Sequence, residues 1–299
     1  MELKEIREIG NLELLARQMV EGFITGLHKS PYHGFSVEFA EHRLYNSGES
    51  TRHIDWKVYA KTDRLYTKRY EEETNLRGVL LLDKSPSMYY PSESRGKLSF
   101  CCLAAASLAY MLNRQRDAVG LVTFGEKIEQ QTDIKSTHSH LHTLFLYLEE
   151  ILESKPEPGT TNLAGVLHEI AEKVHKRSLV VLFSDMFDHS ENDQEILNAL
   201  RHLKHRKHEV LLFHVTDKKT ERDFEFDDRP YEFIDMETGE KVRLQPSQYR
   251  NTYVSEVQRY YEQLKIKCGQ FGIDFIEADI NQGVNQVLTK FLVKRAKMK

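Results

Sequence analysis

Apolar runs of strand length alternate with amphipathic segments of helical spacing along most of the chain, from Gly78 onward. The predicted strands are 78–83, 118–124, 127–131, 178–185, 209–215 and 273–276, and the predicted helices are 97–116, 139–152, 163–175, 193–206, 252–268 and a last helix from about 284. This alternation predicts an α/β fold, in which a doubly wound, mostly parallel sheet is covered on both faces. The polar alternation over 127–131 predicts one antiparallel edge strand.

The first 75 residues have a different pattern. Apolar residues fall on one side of a helix over residues 9–25, whereas residues 31–75 are short segments broken by Gly, Pro and Asn. We therefore divide the chain into residues 1–75, an N-terminal helix with an irregular β-containing extension, and residues 76–299, the α/β domain. Residues 223–247 interrupt the alternation, and the runs on either side of Thr238-Gly239 predict an inserted hairpin.

Charge and cysteine content narrow the class of protein. The 42 basic and 46 acidic residues give a net charge of −4, which argues against a general nucleic-acid binder because phosphate binding needs a basic surface. The three cysteines form no spaced framework, so we expect reduced core thiols. No apolar stretch approaches the roughly 20 residues that span a bilayer, and the first residues lack the apolar core of a signal peptide. These features predict a cytoplasmic protein.

Three polar stretches are expected at one edge of the sheet. Asp83-Lys84-Ser85-Pro86-Ser87 follows the first strand, Gly159-Thr160-Thr161-Asn162 precedes a helix, and Ser184-Asp185 ends a later strand. Sites in open parallel sheets form at the carboxyl ends of strands. Two carboxylates and at least three hydroxyls suit a hard divalent cation such as Mg²⁺, which takes oxygen ligands. The alternative for the first stretch is a turn in which serine hydroxyls satisfy backbone groups.

Together these stretches resemble the metal-ion-dependent adhesion site of von Willebrand factor type A domains. The resemblance implies that Ser85, Ser87 and Thr161 coordinate Mg²⁺, or Mn²⁺ in its place, through their hydroxyls. It also implies that Asp83 and Asp185 act mainly through bound waters. The second threonine of the loop is preferred because Asn and an apolar residue follow it, as in the family. An ion held by mostly neutral ligands keeps positive character, so an acidic side chain of a partner protein can bind it.

The segment upstream of the first strand extends the resemblance to a bacterial family. The stretches Arg43-Leu44-Tyr45, Gly48, Arg52-His53-Ile54-Asp55-Trp56 and 65–73, with the Asp83 loop, resemble the family called domain of unknown function fifty-eight. Members often accompany MoxR-type AAA+ ATPases. The resemblance therefore implies a Mg²⁺-dependent protein-interaction module, an adaptor or assembly factor that works with such an ATPase and is not an enzyme. Many members have N-terminal membrane helices and more acidic residues after the glycine, whereas this chain has no span and reads Gly48-Glu49-Ser50.

Other interpretations of these residues remain open. A Mg²⁺-dependent hydrolase acting on a phosphorylated or acyl substrate would need a general base, for which Asp188 is the best candidate, but no P-loop or paired-Asp motif is present. A structural domain with a vestigial site is a third interpretation. The 14 histidines lack the spacing of a transition-metal set, so we expect surface residues. We expect Trp56 to be buried, with Arg52 and Asp55 securing the extension, the alternative being a partner-binding patch.

Overall fold

The computed structural model describes residues 11–28, 42–44, 56–68, 76–92, 96–156, 161–186 and 193–297. The chain divides into two compact units, one formed by Met1–Gly26 with Leu76–Lys299 and the other by Leu27–Asn75. The described helices are α1 (Leu12–His28), α2 (Trp56–Thr62), α3 (Gly96–Arg114), α4 (His138–Glu153), α5 (Leu163–Lys173), α6 (Asp193–His205), α7 (Pro246–Gln270) and α8 (Val284–Lys297). The described strands are β1 (His42–Leu44), β2 (Tyr66–Lys68), β3 (Arg77–Asp83), β4 (Ala118–Phe124), β5 (Ile128–Gln131), β6 (Leu179–Ser184), β7 (Glu209–Thr216), β8 (Tyr231–Ile234), β9 (Lys241–Leu244) and β10 (Asp274–Asp279).

Six strands form the main sheet of the larger unit, in the order β10-β7-β6-β3-β4-β5. Neighbouring strands are parallel except for β4 and β5, which are antiparallel. This arrangement confirms the predicted fold class. Because β3 lies between β4 and β6 in parallel register, with Leu82 opposite Phe183 and Asp83 opposite Phe124, the carboxyl ends of these three strands meet at one edge.

Helices cover both faces of this sheet. Alternate residues of each buried strand point to opposite sides, so each strand contributes to two separate apolar clusters. Leu80 and Leu82 belong to a cluster with apolar residues of α1, α3, α4 and α8, whereas Val79 and Leu81 belong to a cluster with residues of α5, α6 and α7. The alanines of α3 are all buried, and their small side chains allow that helix to approach the sheet closely. All three cysteines are buried and free, as expected for core thiols.

Helix α1 packs on the larger unit. Leu12, Leu15 and Met19 are buried in the first of these clusters, and the backbone N–H of Leu12 donates to Oε1 of Glu149 at 2.9 Å. The start of this helix therefore belongs with the α/β unit, and the smaller unit spans Leu27–Asn75.

In the smaller unit, β1 and β2 pair antiparallel, with Arg43 opposite Thr67. The expectation of a buried Trp56 is wrong, since 60% of this residue is exposed. Trp56 begins the seven-residue helix α2, and its ring meets Tyr59 of the same helix edge-on at 6.1 Å. Arg52 and Asp55 lie outside the described residues.

The predicted insertion is a β-hairpin in the larger unit. Strands β8 and β9 pair antiparallel with Phe233 opposite Val242. A short π-helical turn, Lys218–Arg222, precedes it. The ring of Phe224 lies 5.7 Å from that of Phe233 and 4.4 Å from that of Tyr253 in α7, so aromatic contacts attach strand β8 to the domain.

Candidate metal site

Asp83 ends the central strand and lies fully buried at the edge of the sheet. Its Oδ1 accepts a hydrogen bond from the backbone N–H of Ser85 at 2.9 Å, and its Oδ2 accepts one from the Ser184 hydroxyl at 2.7 Å. That hydroxyl in turn accepts from the backbone N–H of Met186 at 2.9 Å. The two strand ends are therefore tied together through one carboxylate.

The two serines that follow Asp83 present their hydroxyls side by side. Pro86 opens a short 3₁₀ turn, Pro86–Tyr89, which folds the chain back so that the Ser85 and Ser87 oxygens lie 3.0 Å apart. Ser85 is buried and Ser87 is half-buried. Adjacent oxygen ligands of an octahedral Mg²⁺ with bonds of 2.0–2.1 Å are about 2.9 Å apart. The spacing of the two hydroxyls therefore matches one edge of such an octahedron.

Thr161 lies directly before helix α5, and the start of that helix fixes its position. Asn162 caps the helix by accepting a hydrogen bond from the backbone N–H of Gly165 at 3.0 Å. The backbone N–H of Asn162 reaches the carbonyl of Gly125, just past the end of β4, at 3.4 Å. Thr161 is 5% exposed, and its hydroxyl donates to Oε1 of Glu237 at 3.1 Å. Thr161 is thus held near the edge where β3 and β4 end.

Substitution of Gly165 should test the capping contact. A Cβ at Gly165 would lie 2.7 Å from both terminal atoms of the Asn162 side chain, whereas a Cβ at Gly269 of α7 would have no atom within 4 Å. We expect Gly269→Ala to raise the free energy of unfolding by about 0.4–1 kcal/mol. Gly165→Ala should give no such gain, because losing the cap costs about 1 kcal/mol. Urea denaturation of both variants checks this, and an equal gain in both would contradict it.

Asp185 is also fully buried, and a lysine that the sequence did not reveal bonds to it. Nζ of Lys97, near the start of α3, donates to Oδ2 of Asp185 at 2.8 Å and to Oε1 of Glu221 at 2.5 Å. The Lys97 side chain is 1% exposed. A buried charge of this kind needs such partners, since an uncompensated charge in the interior is costly. The backbone carbonyl of Asp185 accepts from Nε2 of His214 at 2.9 Å.

The electrostatics of this edge favour a cation. Burial raises the pKa of Asp83, and the neighbouring Asp185 carboxylate raises it further. Burial alone would lower the pKa of Lys97, but Asp185 and Glu221 outweigh it and the pKa is raised. Burial raises the pKa of Glu221. The raised pKa of Asp83 means that its ionised form is disfavoured in the protein alone, so a cation bound beside it would favour the ionised form.

His214 predicts a dependence of stability on pH. Burial lowers the pKa of His214 to about 4, below its usual value of 6.5. A lowered pKa in the folded state means that the stability contribution is present above pH 6.5 and is lost as the pH falls toward 4. Over that range the unfolded protein binds up to one proton more than the folded protein. The free energy of unfolding should therefore fall by up to about 1.4 kcal/mol for each pH unit of acidification. His214→Gln should flatten the slope, and the exposed His138→Gln should leave it unchanged; an unaltered slope in His214→Gln would contradict this.

The structure thus brings together Asp83, Ser85 and Ser87 with the end of β6, and it holds Thr161 near the end of β4. The neighbours that sequence reasoning missed are Ser184 as a hydrogen-bond donor, Lys97, Glu221 and Glu237.

The expectation that the histidines lie on the surface is wrong for His208 and His214, each 1% exposed. Tyr89 packs in the core, with its hydroxyl 2.8 Å from that of Ser154.

The donor set fits a hard divalent cation. It consists of hydroxyl and carboxylate oxygens, which Mg²⁺ prefers. Among the described residues, no group of three or more His, Cys, Asp or Glu side chains is arranged to hold a metal ion. Asp188, the candidate base of a hydrolase, lies outside the described residues.

The family of the chain follows from comparison with known proteins. A family model described as "Protein of unknown function DUF58" matches residues 41–263. The chain belongs to the DUF58 family. The matched range includes the Asp83 loop, Thr161, Asp185 and the β8–β9 hairpin, so the candidate site and the insertion both lie within the DUF58 region.

Several named proteins are similar to this DUF58 chain. Uncharacterized protein Rv1480 of Mycobacterium tuberculosis is 24% identical over 210 residues, covering 70% of this chain and 64% of that protein. Uncharacterized protein Mb1516 of Mycobacterium bovis gives the same values, so the chain spans just under two thirds of the length of these relatives.

Solved structures are similar at lower identity. BatB from Bacteroides thetaiotaomicron is 13% identical, with 74% of this chain and 99% of that chain covered and a TM-score of 0.42. An aerotolerance-related membrane protein from Bacteroides fragilis is 15% identical, with 75% and 100% covered and a TM-score of 0.46. In the described part of the DUF58 chain, no helix is long and apolar enough to cross a bilayer.

Proposed function

We propose that this DUF58 protein is a Mg²⁺-dependent protein-binding module that takes an acidic side chain of a partner at the ion. The observation that carries the proposal is the pair of hydroxyls of Ser85 and Ser87, 3.0 Å apart beside the buried Asp83 carboxylate. Ser85, Ser87 and Thr161 would hold the ion through their hydroxyls, and Asp83 and Asp185 would act through waters. Mn²⁺, which accepts similar oxygen ligands, could replace Mg²⁺.

The chain's own residues prepare this site for binding without turnover. Hydrogen bonds from Ser85 and Ser184 fix both oxygens of Asp83, so its carboxylate needs little reorganisation. The bound ion would supply a positive centre that attracts a carboxylate. Because three of the five donors are neutral hydroxyls, the positive charge of the ion would be only partly cancelled, which favours an external acid.

The partner we propose is a MoxR-type AAA+ ATPase. The basis is the association of such ATPases with the family that the sequence resembles, together with a site suited to an acidic side chain. In this proposal the DUF58 protein acts as an adaptor or assembly factor, and its contact with the ATPase depends on the ion.

Binding to the purified MoxR-type ATPase of the same organism tests the proposal. We expect binding in millimolar Mg²⁺ without nucleotide. After addition of a chelator, binding should be at least about tenfold weaker, because the loss of binding free energy should equal about that of one charge-assisted contact. Asp83→Asn, which keeps the shape of the side chain, should bind weakly under both conditions. Equal binding with Mg²⁺ and with chelator would contradict ion dependence, and the absence of binding in Mg²⁺ would contradict the choice of partner.

A further inference from the structure

The turn of the β8–β9 hairpin places an acidic side chain on a residue of the candidate metal site. The Thr161 hydroxyl donates to Oε1 of Glu237 at 3.1 Å, although 76 positions separate the two residues in sequence. A threonine hydroxyl that donates its one proton retains its oxygen lone pairs. Thr161 can therefore contact Glu237 and a cation at the same time.

Hydrogen bonds within the turn hold Glu237 in this position. Oδ1 of Asp235 accepts from the backbone N–H groups of Glu237 at 2.8 Å and Thr238 at 3.1 Å. The carbonyl of Asp235 accepts from the N–H of Gly239 at 2.9 Å. Gly239 has φ +74°, a left-handed conformation that glycine adopts at little cost. Groups of the hairpin itself therefore fix the conformation of the turn.

Apolar contacts dock the hairpin on the domain at two points. At the tip, Met236 packs against the core cluster on the α3 side of the sheet. In β8, Phe233 contacts Phe224, and Phe224 in turn contacts Tyr253 of α7. Ile234, the next residue of β8, is 54% exposed, so the opposite face of the strand remains accessible.

We propose that Glu237 is a built-in acidic ligand of the candidate site and occupies the position that a partner's acidic side chain would take. This inference rests on the proposed function. The chemistry of the two acids is the same, a carboxylate oxygen placed beside a hydroxyl ligand. A partner then binds only to molecules in which the hairpin tip has moved away. Its apparent affinity is therefore its intrinsic affinity multiplied by the fraction of molecules in that state.

Hydrogen exchange of the amides of residues 235–241 tests this inference. The variants are Glu237→Gln and, as a matched control, Glu240→Gln, which removes the same charge from an exposed residue of the same turn. Millimolar Mg²⁺ should slow exchange in the unaltered protein and in Glu240→Gln by about tenfold, but not in Glu237→Gln. A glutamate-containing pentapeptide should bind Glu237→Gln in Mg²⁺ at least about tenfold more tightly than the unaltered protein. The glutamine version of the peptide should show no such preference.

Three outcomes would overturn the inference, and the melting temperature in Mg²⁺ separates them. If Mg²⁺ raises the melting temperature but leaves hairpin exchange unchanged, Glu237 is not a ligand and the proposed function stands. If Glu237→Gln speeds exchange equally with and without Mg²⁺, the contact with Thr161 is only structural. If Mg²⁺ changes neither quantity in any variant, the proposed function itself fails and the inference fails with it.

Discussion

Replacing Lys97 with methionine is expected to lower the free energy of unfolding by about 3–5 kcal/mol. The lysine ammonium bonds to Asp185 and Glu221, and the side chains of Lys97 and Asp185 are 1% and 0% exposed. Methionine has a similar length and fills the space, so the main loss is electrostatic. The substitution leaves two buried or largely buried carboxylates, Asp185 and Glu221, without their shared cation, and leaving buried charge uncompensated in this way is costly. Urea denaturation followed by circular dichroism measures the change.

A surface lysine provides the matched control. Lys173 of α5 pairs with Glu169 four residues earlier, and both side chains are about half exposed. Lys173→Met should change the free energy of unfolding by less than about 0.5 kcal/mol, since exposed ion pairs contribute little. Adding Asp185→Asn to Lys97→Met should recover part of the loss, because it removes one of the two carboxylate charges that have lost their cation. A loss in Lys97→Met no larger than in Lys173→Met would show that the buried pair contributes no stability.

The fold could be predicted from the sequence because its strands and helices carry strong local patterns. The continuous apolar run predicts strand β3 at 78–83, and the strand spans Arg77–Asp83, since a buried parallel strand reads as one continuous apolar run. The apolar spacing predicts helix α7 from 252, whereas the helix begins at Pro246. Its first turns are mostly polar and exposed, so no apolar spacing marks them, and a proline at the first helical position is the remaining signal.

The candidate site was predictable only in part, for a physical reason. Asp83 and Asp185 end buried strands, and topology alone brings such ends to one edge. Lys97, Glu221 and Glu237 reach this edge through contacts that span 88, 124 and 76 positions between the bonded residues. Each stands in a polar segment where a charged side chain normally faces solvent. Their burial depends on how separate elements pack against each other. The spacing of apolar residues along the sequence does not show that packing.

Replacing both Ser85 and Ser87 with alanine is expected to abolish stabilisation by Mg²⁺. An ion that binds only the native state stabilises it by about 2.7 kcal/mol at 100 times its dissociation constant, which raises the melting temperature by several degrees. The double variant removes both hydroxyls of the 3.0 Å pair, while the backbone N–H of Ser85 that bonds to Asp83 remains. The fold should therefore survive, and melting temperatures with and without Mg²⁺ should coincide.

The single variants and a control separate coordination from a general effect of losing a serine. Ser85→Ala and Ser87→Ala should each reduce the Mg²⁺-dependent shift, because each removes one donor of the same ion. Ser255→Ala, in the exposed part of α7, should keep the full shift. If the double variant gains as much stability from Mg²⁺ as the unaltered protein, the ion binds elsewhere. The two serines would then be explained by the alternative that the sequence left open, a turn in which serine hydroxyls satisfy backbone groups.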